Sequence, residues 1–146
     1  MATTMGRYAA GYAGEERVAL RKLIWVGPLA VVAAAAANEI ARRALVAALP
    51  ISPDFLPMQA EGVAMMTVLF TVAAVLVFAA TARLTIQPIR TYQIVAVVAL
   101  VVSFFPDLML FEDPTATTAG VIALMALHAV AAAAVVWPLS TLTREA

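Results

Sequence analysis

The sequence predicts an all-α protein, an integral membrane four-helix bundle with antiparallel up-down-up-down topology. Hydrophobic residues make up 64% of its 146 residues and charged residues only 12%, whereas soluble domains average about 45–50% and about 25%. Four apolar stretches each reach the roughly 20 residues that a membrane helix needs. The connections between them are short, which makes consecutive helices antiparallel neighbours.

Residues 1–20 are predicted to form a cytoplasmic tail. The first fourteen are mostly small or polar, and Glu15 and Glu16 stand where a cleavable signal peptide prefers positive charge. Residues 21–146 are predicted to form a single four-span transmembrane domain. Its spans cover about residues 23–49, 62–82, 92–111 and 119–142.

The segments between the spans carry residues that end or begin helices. After the first span, "PISPDFLPMQ" holds three prolines, which an α-helix interior does not accept. The segment "RLTIQPIR" places Pro88 between the second and third spans. In "FEDPTATT", Pro114 is followed by Thr117 and Thr118, either of which can cap the fourth helix.

The distribution of basic residues predicts the orientation. Loops 50–60 and 112–118 contain no lysine or arginine. The flanking basic residues all lie before span one, between spans two and three, or after span four: Arg17, Arg21, Lys22, Arg83, Arg90 and Arg144. Cytoplasmic loops are the ones enriched in Lys and Arg. Both termini are therefore predicted to be cytoplasmic, and the protein to be a multi-pass protein of the cytoplasmic (inner) membrane.

Polar residues interrupt all four spans, mainly between the bilayer centre and the outer surface. Charged groups inside a membrane are costly and usually pair in the bundle interior. We therefore treat these residues as candidates for a ligand or proton site. The candidates are Asn38, Glu39, Arg42, Arg43, Glu61, Ser103, Asp107 and His128.

The segment "NEIARR" contains the densest of these charges. Glu39 lies on the same helix face as Arg42 (i+3) and Arg43 (i+4), so it can pair with either. The other arginine would snorkel outward or meet Asp107 or Glu61. The network then has two interpretations: a structural lock of the outer half of the bundle, or a ligand, proton or metal site that opens to the outside.

The third and fourth spans carry an acid and the single histidine. Asp107 follows Pro106, which frees a backbone carbonyl one turn earlier, and Ser103 is well placed to satisfy it. His128 is either a hydrogen-bonded packing residue or a proton acceptor, since imidazole titrates near neutral pH. No strained-turn motif surrounds Ser103, so no catalytic residue is assigned.

Metal, cofactor and nucleic acid are not predicted. The Glu-x-x-His pairs of di-metal bundles are missing from the sequence. A single histidine cannot supply both axial ligands of a haem within one chain, and there is no cysteine for thiolate chemistry. The formal net charge of zero lacks the basic bias of a nucleic-acid-binding protein.

The second half of the chain resembles a known family at "QPIRTYQIVAVVALVVSFFPDLML" and "GVIALMALHAVAAAAVVWPL". This is an uncharacterised bacterial family of small four-helix membrane proteins, classified as a domain of unknown function. Asn38 also fits its pattern. The resemblance implies the same fold and carries no activity. The residues that carry it are Pro88, Arg90, Thr91, Tyr92, Ser103, Phe104, Pro106, Asp107, Leu124, Met125 and His128.

Three functions remain open from the sequence. The leading hypothesis is a non-enzymatic accessory or structural four-helix subunit, whose partners are membrane lipid and either further copies of itself or a partner membrane subunit. The second is a small transporter or binding protein for a proton-coupled or lipophilic substrate, with Glu39, Asp107 and His128 carrying protons. The third is an intramembrane lipid-modifying enzyme with Asp107 or Glu39 as acid and His128 as base.

Overall fold

Four long helices dominate residues 17–145, the part of the chain that the computed structural model describes. They are α1 (Leu23–Ala48), α2 (Ala60–Leu84), α3 (Pro88–Met109) and α4 (Thr118–Leu142). Each is long and apolar enough to cross a membrane, and residues 17–145 contain no β-strand. The predicted all-α four-helix membrane bundle is confirmed. Most of the predicted tail, residues 1–16, lies outside the described residues.

The helices form a closed ring of neighbours. α1 packs against α2 and α4, and α3 also packs against α2 and α4. An isolated antiparallel bridge joins Val18 to Arg144, and at the opposite end the Thr117 hydroxyl donates to the Pro50 carbonyl over 3.1 Å. α1 and α4 are therefore antiparallel along their full lengths. We call the end that contains residues 17–22, 85–87 and 143–145 the terminal end, and the end that contains residues 49–59 and 110–117 the distal end.

Pro88 is the first residue of α3 rather than part of the preceding loop. The apolar pattern places the start of the third span near residue 92 and leaves Pro88 in the preceding connection. A proline is accepted at the first helical position, where its missing N–H would have no intrahelical partner anyway. The helix therefore begins about one turn earlier than the apolar pattern suggests.

The core consists of two apolar clusters, one toward each end. In the terminal-end cluster, Phe78 and Tyr92 meet edge to face, with ring centroids 5.0 Å apart. The other buried members of this cluster are Val26, Ala30, Ile89, Val135 and Leu139. The distal cluster contains Phe55, Met58, Val63, Val121, Ala123 and Leu127. The polar residues that the sequence analysis names as candidates lie at or near the distal cluster.

The segment 49–59 is a folded cap over the distal end. Phe55 and Met58 are buried, and a 3₁₀ turn over Leu56–Met58 leads into α2. Phe55 sits so close to α4 that a Cβ at Gly120 would lie 3.2 Å from its ring. This segment is therefore part of the core rather than a free connection.

The other distal connection, residues 110–117, is held by Asp113. Its carboxylate accepts hydrogen bonds from the hydroxyl and the backbone N–H of Thr115, each over 2.7 Å. These hydrogen bonds, that of the hydroxyl first, hold the pKa of Asp113 below its ordinary value of 3.8. Thr117 then caps α4 by accepting the Gly120 N–H over 3.0 Å. Both distal connections are thus fixed by specific contacts.

α3 is attached to the bundle differently at its two ends. Near the terminal end it buries Pro88, Ile89 and Tyr92, all in its first two turns. From residue 93 to residue 109 only Asp107 is buried. The distal two thirds of α3 therefore touch the bundle with little buried apolar surface, and the buried residue there is an acid.

Candidate functional site

Six of the eight candidate residues fall into three separate polar groups in the distal half of the bundle. Glu39 contacts Arg42 and Arg43 within α1. Asn38 joins α1 to α2, and Asp107 joins α3 to α4. Within residues 17–145, no hydrogen bond or ion pair connects one group to another. The structure thus divides the residues expected to form one network into three local contacts.

Glu39 binds both arginines of "NEIARR". The Arg42 guanidinium donates from Nε to one carboxylate oxygen over 2.8 Å and from Nη2 to the other over 2.9 Å. Arg43 donates from Nε over 2.7 Å. The sequence analysis expects Glu39 to pair with one arginine and the other arginine to snorkel outward or to meet Asp107 or Glu61. In the structure the Glu39 carboxylate binds both arginines. The i+3 and i+4 spacings on a single helix face allow this.

The two arginines differ in their surroundings. The Arg42 side chain is 15% exposed and its Nη1 lies 3.4 Å from the Met58 carbonyl of the cap. The Arg43 side chain is 75% exposed and points away from the bundle. One carboxylate and two guanidinium groups leave a net positive charge on this group, and Arg43 carries its accessible part.

Asn38 connects α1 to α2 in the interior. It is 4% exposed, and its side-chain amide donates to the Thr67 hydroxyl over 2.8 Å. The amide oxygen of Asn38 has no hydrogen-bond partner within the described residues. One turn further along α2, the Thr71 hydroxyl donates to the Thr67 carbonyl over 2.7 Å. A short polar strip therefore crosses the otherwise apolar α1–α2 interface.

Thr67 is a contact residue that the sequence analysis missed. Threonine is common in membrane helices, where its hydroxyl can bond back to its own helix. A lone threonine is therefore a weak signal. The spacing of Thr67 and Thr71, both buried on one face of α2, is the pattern that would have indicated a polar interhelical contact opposite Asn38.

Asp107 and His128 form the third group. Their Oδ2 and Nδ1 atoms lie 2.8 Å apart across the α3–α4 interface. The Asp107 side chain is 5% exposed and that of His128 is 31% exposed. The ring of Phe104 lies 6.4 Å from the imidazole, centroid to centroid, and is tilted by 51°. The acid is enclosed, while part of the imidazole remains accessible at the bundle surface.

Ser103 and Glu61 belong to none of the three groups. The Ser103 hydroxyl donates to the Leu100 carbonyl over 2.7 Å, so its hydrogen bond stays within α3 and is not made to the carbonyl that Pro106 leaves free. Glu61 is exposed in the first turn of α2. It lines a distal cleft of about 390 Å³ together with Arg42, Phe55 and Met58.

The groups offer limited chemistry for cofactors. No cluster of three or more His, Cys, Asp or Glu side chains suited to a metal ion occurs among residues 17–145. A second cleft of about 390 Å³, between α1 and α2 near the terminal end, is lined only by apolar residues and contains no candidate residue. Proton exchange and ionic or hydrogen-bonded contact are the chemistry that the three groups can provide.

A comparison with protein families matches residues 16–145 to a family of unknown function (DUF6069). The chain belongs to this family. The match spans all four helices and every candidate residue, so the DUF6069 fold includes the whole bundle described above. Neither the curated proteins nor the solved structures yield a match.

Proposed function

We propose that this DUF6069 protein is a non-enzymatic accessory or structural subunit, in which polar contacts between helices hold the distal half of the bundle together. The observation that carries the proposal is the contact of Asp107 with His128. Asp107 is the single buried residue of α3 beyond its second turn, and its carboxylate contacts His128 of α4. The contact is therefore the main interior attachment of that part of α3.

Membrane physics favours such a role. Lipid tails are as apolar as leucine, so helices in a bilayer associate through close packing and interhelical hydrogen bonds rather than through hydrophobic burial. α3 has little close packing in its distal part. A hydrogen bond of about 0.5–2 kcal/mol between helices then makes a large relative contribution to its position.

The Glu39 group, which consists of Glu39, Arg42 and Arg43, has a different role in this proposal. Both of its ion pairs lie within α1, so they cannot hold one helix to another. They do neutralise charge inside a spanning segment, which lowers the cost of placing that segment in hydrocarbon. Within residues 17–145, the 3.4 Å contact of Arg42 with the Met58 carbonyl is the one contact of this group that reaches outside α1.

We propose that both termini face the cytoplasm of a bacterial cell and that the protein lies in the inner membrane. The support is the charge distribution on the folded bundle. Within residues 17–145, the basic residues outside the group of Glu39, Arg42 and Arg43 lie at the terminal end, and residues 49–59 and 110–117 have none. Exposed Trp25 and Trp137 also lie near the terminal end, at the depth that tryptophan prefers in membranes.

The partners we propose are membrane lipid and either a second copy or another membrane subunit. Large apolar side chains are exposed on the outside of all four helices, and most of them belong to α2 and α3. Such a surface suits contact with acyl chains or with another apolar helix.

The structural role is tested by replacing Asp107 with alanine and measuring thermal unfolding of the purified protein in a mild detergent. Asp107→Ala removes the interhelical contact, and we expect a lower melting temperature. Ser103→Ala is the matched control, because Ser103 lies one turn earlier on the same helix and bonds only within it. Equal melting temperatures for Asp107→Ala and the wild type would refute the role.

A second function, proton-coupled binding or transport, is favoured by one feature of the same contact. The imidazole that meets the enclosed carboxyl is itself 31% exposed, so a lipophilic ligand can reach it from the bundle surface. Proton flux into vesicles that contain the protein tests this function. A His128→Gln variant that stays folded but loses flux would support it, and absence of flux in the wild type would count against it.

A further inference from the structure

Arg43 occupies an unusual place for a charged residue. It lies on the outward face of α1 with Ile40 and Ala47, and its side chain is 75% exposed. It is seven to eight residues past the midpoint of α1, which corresponds to about 11 Å along the axis. With the midpoint of α1 placed at the bilayer centre and a hydrocarbon half-thickness of about 15 Å, Arg43 lies just inside the boundary between hydrocarbon and headgroups.

The guanidinium of Arg43 is held in one direction by a hydrogen bond but still has N–H donors without an acceptor among residues 17–145. Its Nε donates to Glu39 over 2.7 Å, which fixes the direction of the side chain. The N–H groups of its Nη1 and Nη2 atoms have no partner within residues 17–145. That pair of nitrogens is the edge with which arginine binds a phosphate through two parallel hydrogen bonds.

The Glu39 group has a net positive charge, which an anion would balance. Glu39 already balances Arg42, which is enclosed, so the surplus positive charge rests on Arg43. An unbalanced charge at this depth is costly unless it reaches the headgroup region or meets a counter-charge. Lipid phosphates are the anions present at that level on every side of the bundle.

The surface below Arg43 suits the rest of a lipid. Val32, Ala36 and Ile40 are exposed at four-residue spacing on one face of α1, so they form an apolar strip that leads from Arg43 toward the bilayer centre. At its lower end, Val32 also lines the apolar cleft between α1 and α2. A phosphate at Arg43 would therefore have an acyl chain aligned along this strip.

We propose that Arg43, oriented by Glu39, binds the phosphodiester of a phospholipid in the leaflet at the distal end, with an acyl chain along the strip of Val32, Ala36 and Ile40. The phosphate oxygens accept hydrogen bonds from Nη1 and Nη2. The site goes beyond the proposed structural role and does not depend on it, because it uses the outward face of α1 rather than an interface between helices.

The test is binding of dioleoyl phosphatidylglycerol to the full-length protein in detergent, followed by native mass spectrometry. Dioleoylglycerol, which has the same chains and no phosphate, is the lipid control. We expect phosphatidylglycerol to bind more tightly than dioleoylglycerol, and Arg43→Gln to weaken it about fivefold, the effect of losing one basic residue at a membrane surface. Dioleoylglycerol binding should not change.

Arg83→Gln is the matched protein control, since Arg83 is an exposed arginine in the last turn of α2 at the terminal end. It should bind phosphatidylglycerol as the wild type does. Arg43→Lys keeps a charge beside Glu39 but cannot form the two parallel hydrogen bonds, so we expect intermediate binding. If Arg43→Gln does not fold, the comparison of phosphatidylglycerol binding is made between the wild type and Arg43→Lys.

Three results would overturn the proposal. The first is equal phosphatidylglycerol binding by the wild type and Arg43→Gln, or, where only the lysine variant folds, by the wild type and Arg43→Lys. The second is equal weakening by Arg83→Gln, which would indicate general surface charge. The third is displacement of the lipid by an equal concentration of soluble glycerol phosphate, which would show that the site recognises free phosphate rather than a lipid.

Discussion

Asp107 Oδ2 lies 2.8 Å from His128 Nδ1 and joins the distal part of α3 to α4. No other residue of α3 between residues 93 and 109 is buried. We expect a double-mutant cycle with Asp107→Ala and His128→Ala to give a coupling energy of about 0.5–2 kcal/mol, the range of hydrogen bonds between membrane helices. Reversible unfolding in detergent micelles measures it. Additive effects of the two substitutions would show that the contact contributes nothing to stability.

Glu39→Gln is expected to impair membrane insertion more than it impairs packing. The substitution leaves two arginines inside α1 without their carboxylate, which raises the cost of placing this helix in hydrocarbon. The fraction of α1 that inserts, measured by glycosylation mapping in microsomes, should fall several-fold. Glu61→Gln is the control, because Glu61 is exposed at the start of α2 and lies outside the ion-paired group.

Restoring charge balance should rescue that defect. In the double variant Glu39→Gln/Arg42→Gln, α1 has the same net charge as in the wild type, so we expect insertion to return most of the way. If insertion stays as low as in Glu39→Gln alone, charge neutralisation is not what Glu39 provides.

Asn38→Leu is expected to be neutral or slightly stabilising, whereas Asn38→Ala should destabilise by about 1–3 kcal/mol. The wild-type amide makes one hydrogen bond to Thr67 and leaves its oxygen without a partner. Leucine has a similar size and removes that unsatisfied group, while alanine leaves a cavity. Chemical unfolding of the three proteins ranks them. A strongly destabilised Asn38→Leu would show that the amide has a partner beyond the described contacts.

Gly120→Ala should destabilise the distal cap by about 1–3 kcal/mol, the usual cost of overpacking a core. The new Cβ would lie 3.2 Å from the ring of Phe55, so either α4 or the cap must move. Gly62→Ala is the matched control, because its Cβ would make an ordinary contact of 3.5 Å with the Leu56 carbonyl. Similar melting temperatures for both variants would argue against a tightly packed cap.

The sequence alone predicts the features that depend on composition or on contacts within a single helix. The four apolar stretches predict the four long helices, and the i+3 and i+4 spacing predicts that Glu39 pairs with an arginine. The partner of Asn38 depends on the rotation of α2 about its axis, and in this mostly apolar helix the spacing of Thr67 and Thr71 is a weak sign of that rotation. The core role of Phe55 and Met58 was also missed, since a proline-rich segment without periodicity gives no sign of which side chains turn inward.

The cap formed by residues 49–59 determines where the protein can be labelled. Phe55 and Met58 belong to the same apolar cluster as α2 and α4, so a tag inserted in this segment would pull both from the bundle. Residues 85–87 connect α2 and α3 with Ile86 75% exposed, and they offer room for an epitope. The orientation of the chain is best mapped with insertions at residues 85–87 and with a single small thiol label in place of exposed Asp54 on the opposite side.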